Sequence, residues 1–286
     1  MLRIALPNQG RLNTEARDLL ADAGLELRSS SERALVARLG GEFEAIFVRA
    51  QDIPEFVADG AAQVGITGWD LVQESARPLR SALDLGFGRC RLVVAAREDG
   101  GPRSLDEITG TPRVATVFPQ LTRQFFEQAG RAVQLVPVSG AVEVTPHLGI
   151  ADLIVDLTST GSTLRVNGLR EIATVLESTA RLVIPERFEN AAQQSAADEL
   201  AAALQSVLAA REQRYVMANV PRAQLDAVKA VLPGISGPTV IDVMNGGVMV
   251  AVHAVCPVNA IYTTINRLKA LGGQGILVTR IERLMA

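Results

Sequence analysis

The chain has 286 residues, a formal net charge of −3 and 48% hydrophobic residues, enough for two or three domains with a sizeable buried core. Its slight acidity argues against a nucleic-acid binder, which would show a basic face, and no apolar run is long enough to span a bilayer. Two distant cysteines, Cys90 and Cys256, and two histidines, His147 and His253, form neither a Cys-x-x-Cys pair nor a zinc spacing, so they read as ordinary thiols and imidazoles.

Met1-Leu-Arg-Ile-Ala-Leu-Pro7 reads as a strand broken at proline, too short for a signal peptide, so a cytoplasmic location is expected. Leu12, Ala16, Leu19, Leu20 and Ala23 then recur at helical spacing, with Asn13 or Thr14 as cap and Gly24 as stop. Strands are expected at 45–48 and 63–67, with Pro54 opening a short helix between them. A long apolar strand at 91–97 runs into Gly100-Gly-Pro102, read as a crossover to a second lobe, and Ser104 with Glu107 suggests a capping box. That lobe should hold strands near 113–117, 133–138 and 152–157 and helices near 120–129 and 140–149, with the chain returning near 180–184. The alternation predicts a mostly parallel α/β sheet in two lobes that hinge over a cleft. A connector helix follows at 193–212. Thereafter the order strand 214–220, helix 222–232, strand 239–244, strand 248–255, helix 259–271, strand 275–281 predicts a ferredoxin-like βαββαβ module, with Pro221 at a helix start and Asn245-Gly-Gly247 as hairpin turn.

Residues 151–164 carry the most chemistry. The apolar run Leu153–Val155 ends in Asp156 and passes at once into Leu157-Thr-Ser-Thr-Gly-Ser-Thr163. Hydroxyls of Thr158, Ser159, Thr160, Ser162 and Thr163, with backbone amides around Gly161, outline a phosphate cradle at a helix start. Asp156 is placed to accept hydrogen bonds from sugar hydroxyls. Such a run also serves as a plain turn that satisfies its own backbone, but five hydroxyls beside one carboxylate exceed what a turn needs. The loop is neither a Walker site nor a Gly-x-Gly-x-x-Gly dinucleotide loop. Of the 28 basic residues only Lys229 and Lys269 are lysines, so a phosphate clamp in the first 228 residues must use arginine, backbone amides or a metal ion.

The loop with its flanks Gly140-Ala-Val-Glu-Val144 and Asn167-Gly-Leu169 resembles the phosphoribosyl pyrophosphate (PRPP) loop of the ATP phosphoribosyltransferase family. Leu6-Pro-Asn-Gln-Gly-Arg-Leu12, Gly65-Ile-Thr-Gly-Trp-Asp70, Leu85-Gly-Phe-Gly-Arg-Cys-Arg-Leu92, Tyr215-Val-Met217 and Leu232-Pro-Gly234 resemble that family's segments in the same order, across essentially the whole chain. The resemblance implies a two-lobed, periplasmic-binding-protein-like core, with lobe I at 1–91 and 178–210 and lobe II at 92–177. A ferredoxin-like regulatory domain would occupy 211–286, as in the long form of the enzyme.

It further implies transfer of phosphoribosyl from PRPP to N1 of ATP, the first step of histidine synthesis. Catalytic roles fall to Asp156 and Glu143, and PRPP contacts to Asp156, Thr158, Ser159, Thr160, Gly161, Ser162 and Thr163. ATP would meet Gln9, Gly10, Arg11, Arg49, Gly68 and Asp70, with Gln9 standing where the family often has lysine. Mg2+ would arrive on the PRPP pyrophosphate and no metal would be fixed by the protein alone. Feedback by L-histidine would use Asn219, Ile235, Gly237, Thr239 and Gly273 between subunits of a dimer that can form hexamers. Gly237 and Asp242 replace a serine and a proline common there. A binding protein of periplasmic type and a phosphoribosyltransferase acting on another base are the competing readings; the first needs an export signal.

Overall fold

The computed structural model describes residues 1–28, 34–41, 43–244 and 247–285. They divide into two compact units, Met1–Asp18 with Leu25–Ala201, and Leu19–Gly24 with Ala202–Ala286.

In chain order the first lobe takes β1 (Leu2–Pro7), α1 (Gly10–Asp22), β2 (Leu27–Arg28), β3 (Val36–Leu39), β4 (Phe43–Val48), α2 (Ile53–Ala58), β5 (Val64–Gly68), α3 (Trp69–Ser75) and β6 (Leu79–Asp84). The second takes β7 (Cys90–Arg97), β8 (Arg113–Thr116), α4 (Pro119–Gln128), β9 (Gln134–Pro137), β10 (Leu153–Thr158), α5 (Ser162–Val166) and β11 (Leu169–Ser178). The chain returns as β12 (Ala180–Pro185) and leaves through α6 (Ala191–Arg211). Among the described residues the strand orders are β2-β3-β4-β1-β5-β12-β6 and β11-β7-β10-β8-β9.

The sheets are less parallel than the alternation predicts. Only the trios β4-β1-β5 and β10-β8-β9 are parallel. β7 and β12, which carry the chain from one lobe to the other, run against them, and the short connections between β2, β3 and β4 permit only antiparallel neighbours. The crossover lies at 85–89 rather than at Gly100-Gly-Pro102, because β7 already belongs to the second sheet. β11 carries no clean alternation: register shifts at Glu171/Ala173 and Thr174/Leu176 interrupt its period.

Three local expectations also need correction. α1 starts at Gly10, so Asn13 lies inside it, and its side-chain amide donates back to the Pro7 carbonyl instead of capping. Ser104 makes no capping bond and only a single 3-10 turn follows, while the Glu107 carboxylate takes the Arg103 amide at 2.8 Å. The helix expected at 140–149 shrinks to one 3-10 turn at Val142–Val144. Pro146 has no amide to continue the ladder, and the Thr145 hydroxyl donates to the Val142 carbonyl at 2.7 Å.

The second lobe is buried on both faces of β7 and β10, as a central sheet requires. Leu92, Val94, Leu153 and Val155 meet Leu121 and Phe126 of α4 on one side. Val93, Ala95 and Ile154 meet Val142, Leu164 and Leu169 on the other.

α4 begins Phe118-Pro-Gln-Leu, with no capping side chain of its own. Its orphan amides of Gln120 and Leu121 are taken by the Glu74 carboxylate of α3 at 2.8 and 2.9 Å. A helix of the first lobe thus caps a helix of the second, a favourable setting for an anion.

The second unit contains β13 (Gln213–Pro221), α7 (Leu225–Val231), β14 (Thr239–Asp242), β15 (Met249–Pro257), α8 (Ile261–Ala270) and β16 (Gln274–Arg280). The order β14-β15-β13-β16, all antiparallel, is the ferredoxin-like arrangement. Val216, Ala218, Val220, Val250, Val252 and Ala254 face Val228 and Leu268 of the helices. Of the expected Asn245-Gly-Gly247 turn, Asn245 and Gly246 lie outside the described residues.

Removal of the Glu74 carboxylate leaves two helix-terminal amides without their partner. Glu74→Ala is expected to destabilise the first unit by about 1–2 kcal/mol, measured as a shifted urea midpoint at unchanged slope.

Candidate active site

Both parallel trios end in loops that hold the sequence-marked residues. In the first lobe Pro7 pairs with Val48 and the Asn8 amide donates to the Val48 carbonyl at 2.7 Å, which sets Gln9, Gly10 and Arg11 beside Arg49 at the carboxyl ends of β1 and β4. All four are exposed. Gly10 has φ +79°, a conformation that glycine adopts without Cβ strain. Arg11 reaches Glu15 at 3.6 Å one helical turn on.

Gly68 and Asp70 sit differently from what the sequence suggests. Gly65-Ile-Thr-Gly-Trp-Asp70 is not a turn but the end of β5 passing directly into α3. Asp70 is only 4% exposed; its carboxylate accepts the Ser178 hydroxyl proton, and its own amide donates to that hydroxyl oxygen at 3.0 Å. Burial pushes the Asp70 carboxyl up, against the Ser178 hydroxyl and two backbone amides that pull it down. A Cβ on Gly68 would stand 2.4 Å from Asp70 Oδ1. Asp70 thereby ties α3 to Ser178 at the lobe crossing.

The crossings are bonded to each other. Leu85 N donates to Ala180 O at 3.0 Å, Ala180 N to Phe87 O at 2.9 Å and Trp69 N to Thr179 O at 3.0 Å. Thr179 Oγ1 donates to Asp84 at 2.8 Å. Burial alone would raise the Asp84 carboxyl, but the Gly86 amide, the Thr179 hydroxyl and the Arg181 and Arg89 guanidiniums hold it below the usual range.

A cavity of about 300 Å3 opens at this junction, lined by Arg89, Arg91, Arg181, Asp84 and Glu177 together with Ser159 of the hydroxyl loop. Arg91 is engaged by Glu171. Arg181 pairs with Asp84 at 3.1 Å and lies 5.8 Å over the Trp69 ring. Arg89 has no carboxylate within ion-pair distance among the described residues. A larger cavity of about 500 Å3 lies at the other end of β10, around Gly100, Thr111 and Asp152, away from this chemistry.

In the second lobe β10 emerges from the core at Asp156, which is half-buried. Its Oδ1 accepts the Leu157 amide at 2.8 Å. Burial raises its carboxyl above the ordinary range, the Leu157 amide lowers it, and the negative charge of Glu143 raises it again. Glu143 stands in the 3-10 turn after β9, which β8 separates from β10 in the sheet, and lies close enough for its charge to act on Asp156.

The loop hydroxyls divide. Thr158 is buried and its Oγ1 accepts the Gly161 amide at 2.8 Å, bracing the loop from within. Ser159, Thr160, Ser162 and Thr163 face outward, and the Thr160 and Ser162 hydroxyls are 2.9 Å apart. Gly161 has φ +73° and turns the chain into α5. Arg165 lies across the loop, its Nη2 donating to Thr160 O at 3.2 Å. It is a cation that sequence reading overlooked, although it follows Gly161 by one helical turn.

This strand, loop and helix are held in a chain that the ATP phosphoribosyltransferase family model (HisG) matches over residues 49–206, and the model of that family's C-terminal domain over 210–283. The chain belongs to the ATP phosphoribosyltransferase family. It is 66% identical to the ATP phosphoribosyltransferase of Gemmatimonas aurantiaca, covering 100% of both chains. It is 49% identical to that of Natronomonas pharaonis, covering 99% of this chain and 100% of the other. Among solved structures it is similar to the ATP phosphoribosyl transferase (HisG:HisZ) complex from Thermotoga maritima, with a TM-score of 0.64 and 28% identity over 73% of this chain and 99% of that one. No helix among the described residues is long and apolar enough to cross a membrane.

The thiols fit no nucleophilic role. Burial, then the Asp70 charge, pushes Cys90 up, and burial pushes Cys256 up, which disfavours the thiolate. His147 bonds the Asn167 carbonyl at 2.6 Å and His253 the Tyr215 hydroxyl at 3.0 Å. Among the described residues no three His, Cys, Asp or Glu side chains cluster to hold a metal ion.

The five residues expected to meet L-histidine fall into two groups. Asn219 pairs across to Gln274 of β16, next to the Leu271-Gly-Gly273 bend. Thr239, on the edge strand β14, pairs with His253 of β15 and follows Gly237 by two residues and Ile235 by four.

Because the ionised Asp156 is partly desolvated in the fold, a neutral isostere costs the protein little stability. Asp156→Asn is expected to leave the melting temperature within about a degree while lowering kcat about 100-fold or more. The raised carboxyl also predicts that kcat/KM falls as pH drops through its elevated titration range. Glu143→Gln removes the like charge, lowers the Asp156 carboxyl and moves that acid limb to lower pH; an unmoved limb in a pH-rate profile would refute the pairing.

Proposed function

We propose that this ATP phosphoribosyltransferase grips the 5-phosphate of PRPP in the loop 158–163 and its ribose at Asp156, then joins C1 of the sugar to N1 of ATP with release of pyrophosphate, as the first step of L-histidine synthesis. The observation that carries the reading is a half-buried carboxylate at a strand end, followed by four outward hydroxyls, a left-handed glycine and Arg165 across the loop.

The reaction is a substitution at an anomeric carbon, so charge develops on the ring and on the leaving pyrophosphate. Adenine N1 is neutral and unprotonated, so no strong base is needed, and the protein's contribution is positioning and electrostatics. Asp156 accepts ribose hydroxyls and its negative charge favours the oxocarbenium-like ring. Ser159, Thr160, Ser162, Thr163 and the amides around Gly161 hold the phosphate while Thr158 keeps the loop in shape. Arg89 and Arg181, beside Ser159, supply cations for the pyrophosphate. Gln9, Gly10, Arg11 and Arg49 receive ATP, whereas Gly68 and Asp70 act indirectly by fixing the crossing.

The paired carboxylates of Asp156 and Glu143 suit a Mg2+ that arrives on PRPP and keeps most of its waters. Bound there, the ion would neutralise pyrophosphate charge.

Domain roles follow the same reading: lobe I at 1–91 and 178–210, lobe II at 92–177 and a regulatory domain at 211–286, in a cytoplasmic homo-oligomer. The two separated groups on the ferredoxin-like sheet favour an L-histidine site completed by a second copy, Asn219 and Gly273 from one and Ile235, Gly237 and Thr239 from the other.

With ATP, PRPP and Mg2+ the enzyme should release pyrophosphate and change the adenine ultraviolet spectrum. No turnover by the folded protein, or turnover with another base in place of ATP, would overturn the substrate assignment. L-histidine should inhibit and raise the melting temperature, and Thr239→Val should weaken both effects about tenfold with KM unchanged.

A further inference from the structure

A cluster of four arginines outside the candidate active site lies in the second unit. A cavity of about 610 Å3 is lined by Arg211, Arg214, Arg280 and Arg283, opposed by Asp22 and Glu282. Its volume is that of a small-molecule site.

The cluster is not self-neutralised. Arg211 pairs with Asp22 at 2.8 Å, and Arg283 donates to the Ala23 carbonyl, with the tail anchored by Leu284 N to Ser206 O at 2.9 Å. Arg214 donates only to the Arg211 and Gln213 carbonyls. Arg280 and Arg214 have no carboxylate within ion-pair distance among the described residues. The two are also cross-strand partners in the β13 and β16 register, so like charges stand directly opposite on one face, an arrangement that costs stability in a bare sheet. Arginine forks match phosphate oxygens two at a time, and a multiply charged anion between Arg214 and Arg280 would turn that repulsion into attraction. The lining offers Val207, Ile281 and Ala21 but no aromatic ring on which a base could stack.

We propose that this cavity is a binding site for an oligophosphate anion, recognised through its phosphates and separate from the PRPP loop. The anion is held by Arg214 and Arg280, with Arg211 and Arg283 closing the sides.

The test is calorimetric titration of the full-length protein with inorganic triphosphate, alongside thermal melting and steady-state kinetics, on wild type, Arg280→Gln and Arg214→Gln. The wild type should show a binding event that either substitution weakens about tenfold or more, with KM for ATP and PRPP unchanged. The Arg280→Gln protein should melt no lower than wild type without ligand and lose the triphosphate-induced rise. GTP in place of triphosphate tells a nucleotide from a free oligophosphate: equal affinity means the phosphates alone are read, and tighter GTP binding would refute recognition by phosphates only. Triphosphate binding that survives both substitutions, or that disappears together with a raised KM, would overturn the proposal, because the anion would then sit at the active site. Should Arg280→Gln fail to fold, Arg214→Gln decides by the same criteria.

Discussion

A carboxylate taken out of water must be hydrogen-bonded where it lies, and in this protein Asp70 meets that requirement at the junction of the two lobes. Its partner is the Ser178 hydroxyl, which also receives the Asp70 amide. Ser178 ends β11, one residue before the chain recrosses. The bond therefore fixes α3 to the crossing, and through Glu74 the same helix caps α4 on the far side. Gly68 is obliged to lack a side chain because Asp70 occupies the space. Buried polar contacts, together with Leu71 of α3 packed against the second-lobe core, set the two sheets against each other.

Such a junction suits a phosphate-handling cleft. The hydroxyl loop projects from the end of β10, and Ser159 reaches a cavity whose cations, Arg89 and Arg181, come from the crossing segments. Arg181 follows Ser178 by three residues, so the crossing that the Asp70–Ser178 bond anchors also carries one of these cations. That the cations are arginines matters, since their planar forks match phosphate oxygens bidentately.

In the second unit the helices cover one sheet face, while the outer face carries Tyr215, Met217, Asn219 and His253 at partial or full exposure. The family's C-terminal domain matches this segment. Its register places Asn219 on the interior strand β13 and Thr239 on the edge strand β14, and it brings two arginines together across a ladder.

The loop was legible because its chemistry is contiguous: Asp156 to Thr163 needs only a strand and a glycine turn to bring hydroxyls and amides around one point. The βαββαβ order was legible for a similar reason, since local periodicity and turn residues report it. β11 was hidden because register shifts break its alternation, and the helix at 140–149 failed because Pro146 withholds one amide. Glu74 as a cap and Ser178 as the partner of Asp70, 108 residues away, leave no local signal. Sequence alone determined many of the elements, the order of the last six, the hydroxyl loop and the absence of lysine from the first 228 residues, because propensity, periodicity and composition act over a few positions. Tertiary structure alone decided which carboxylates are buried and bonded, which arginines stand free and which strands run antiparallel, because desolvation and charge pairing depend on neighbours that the chain supplies from far away.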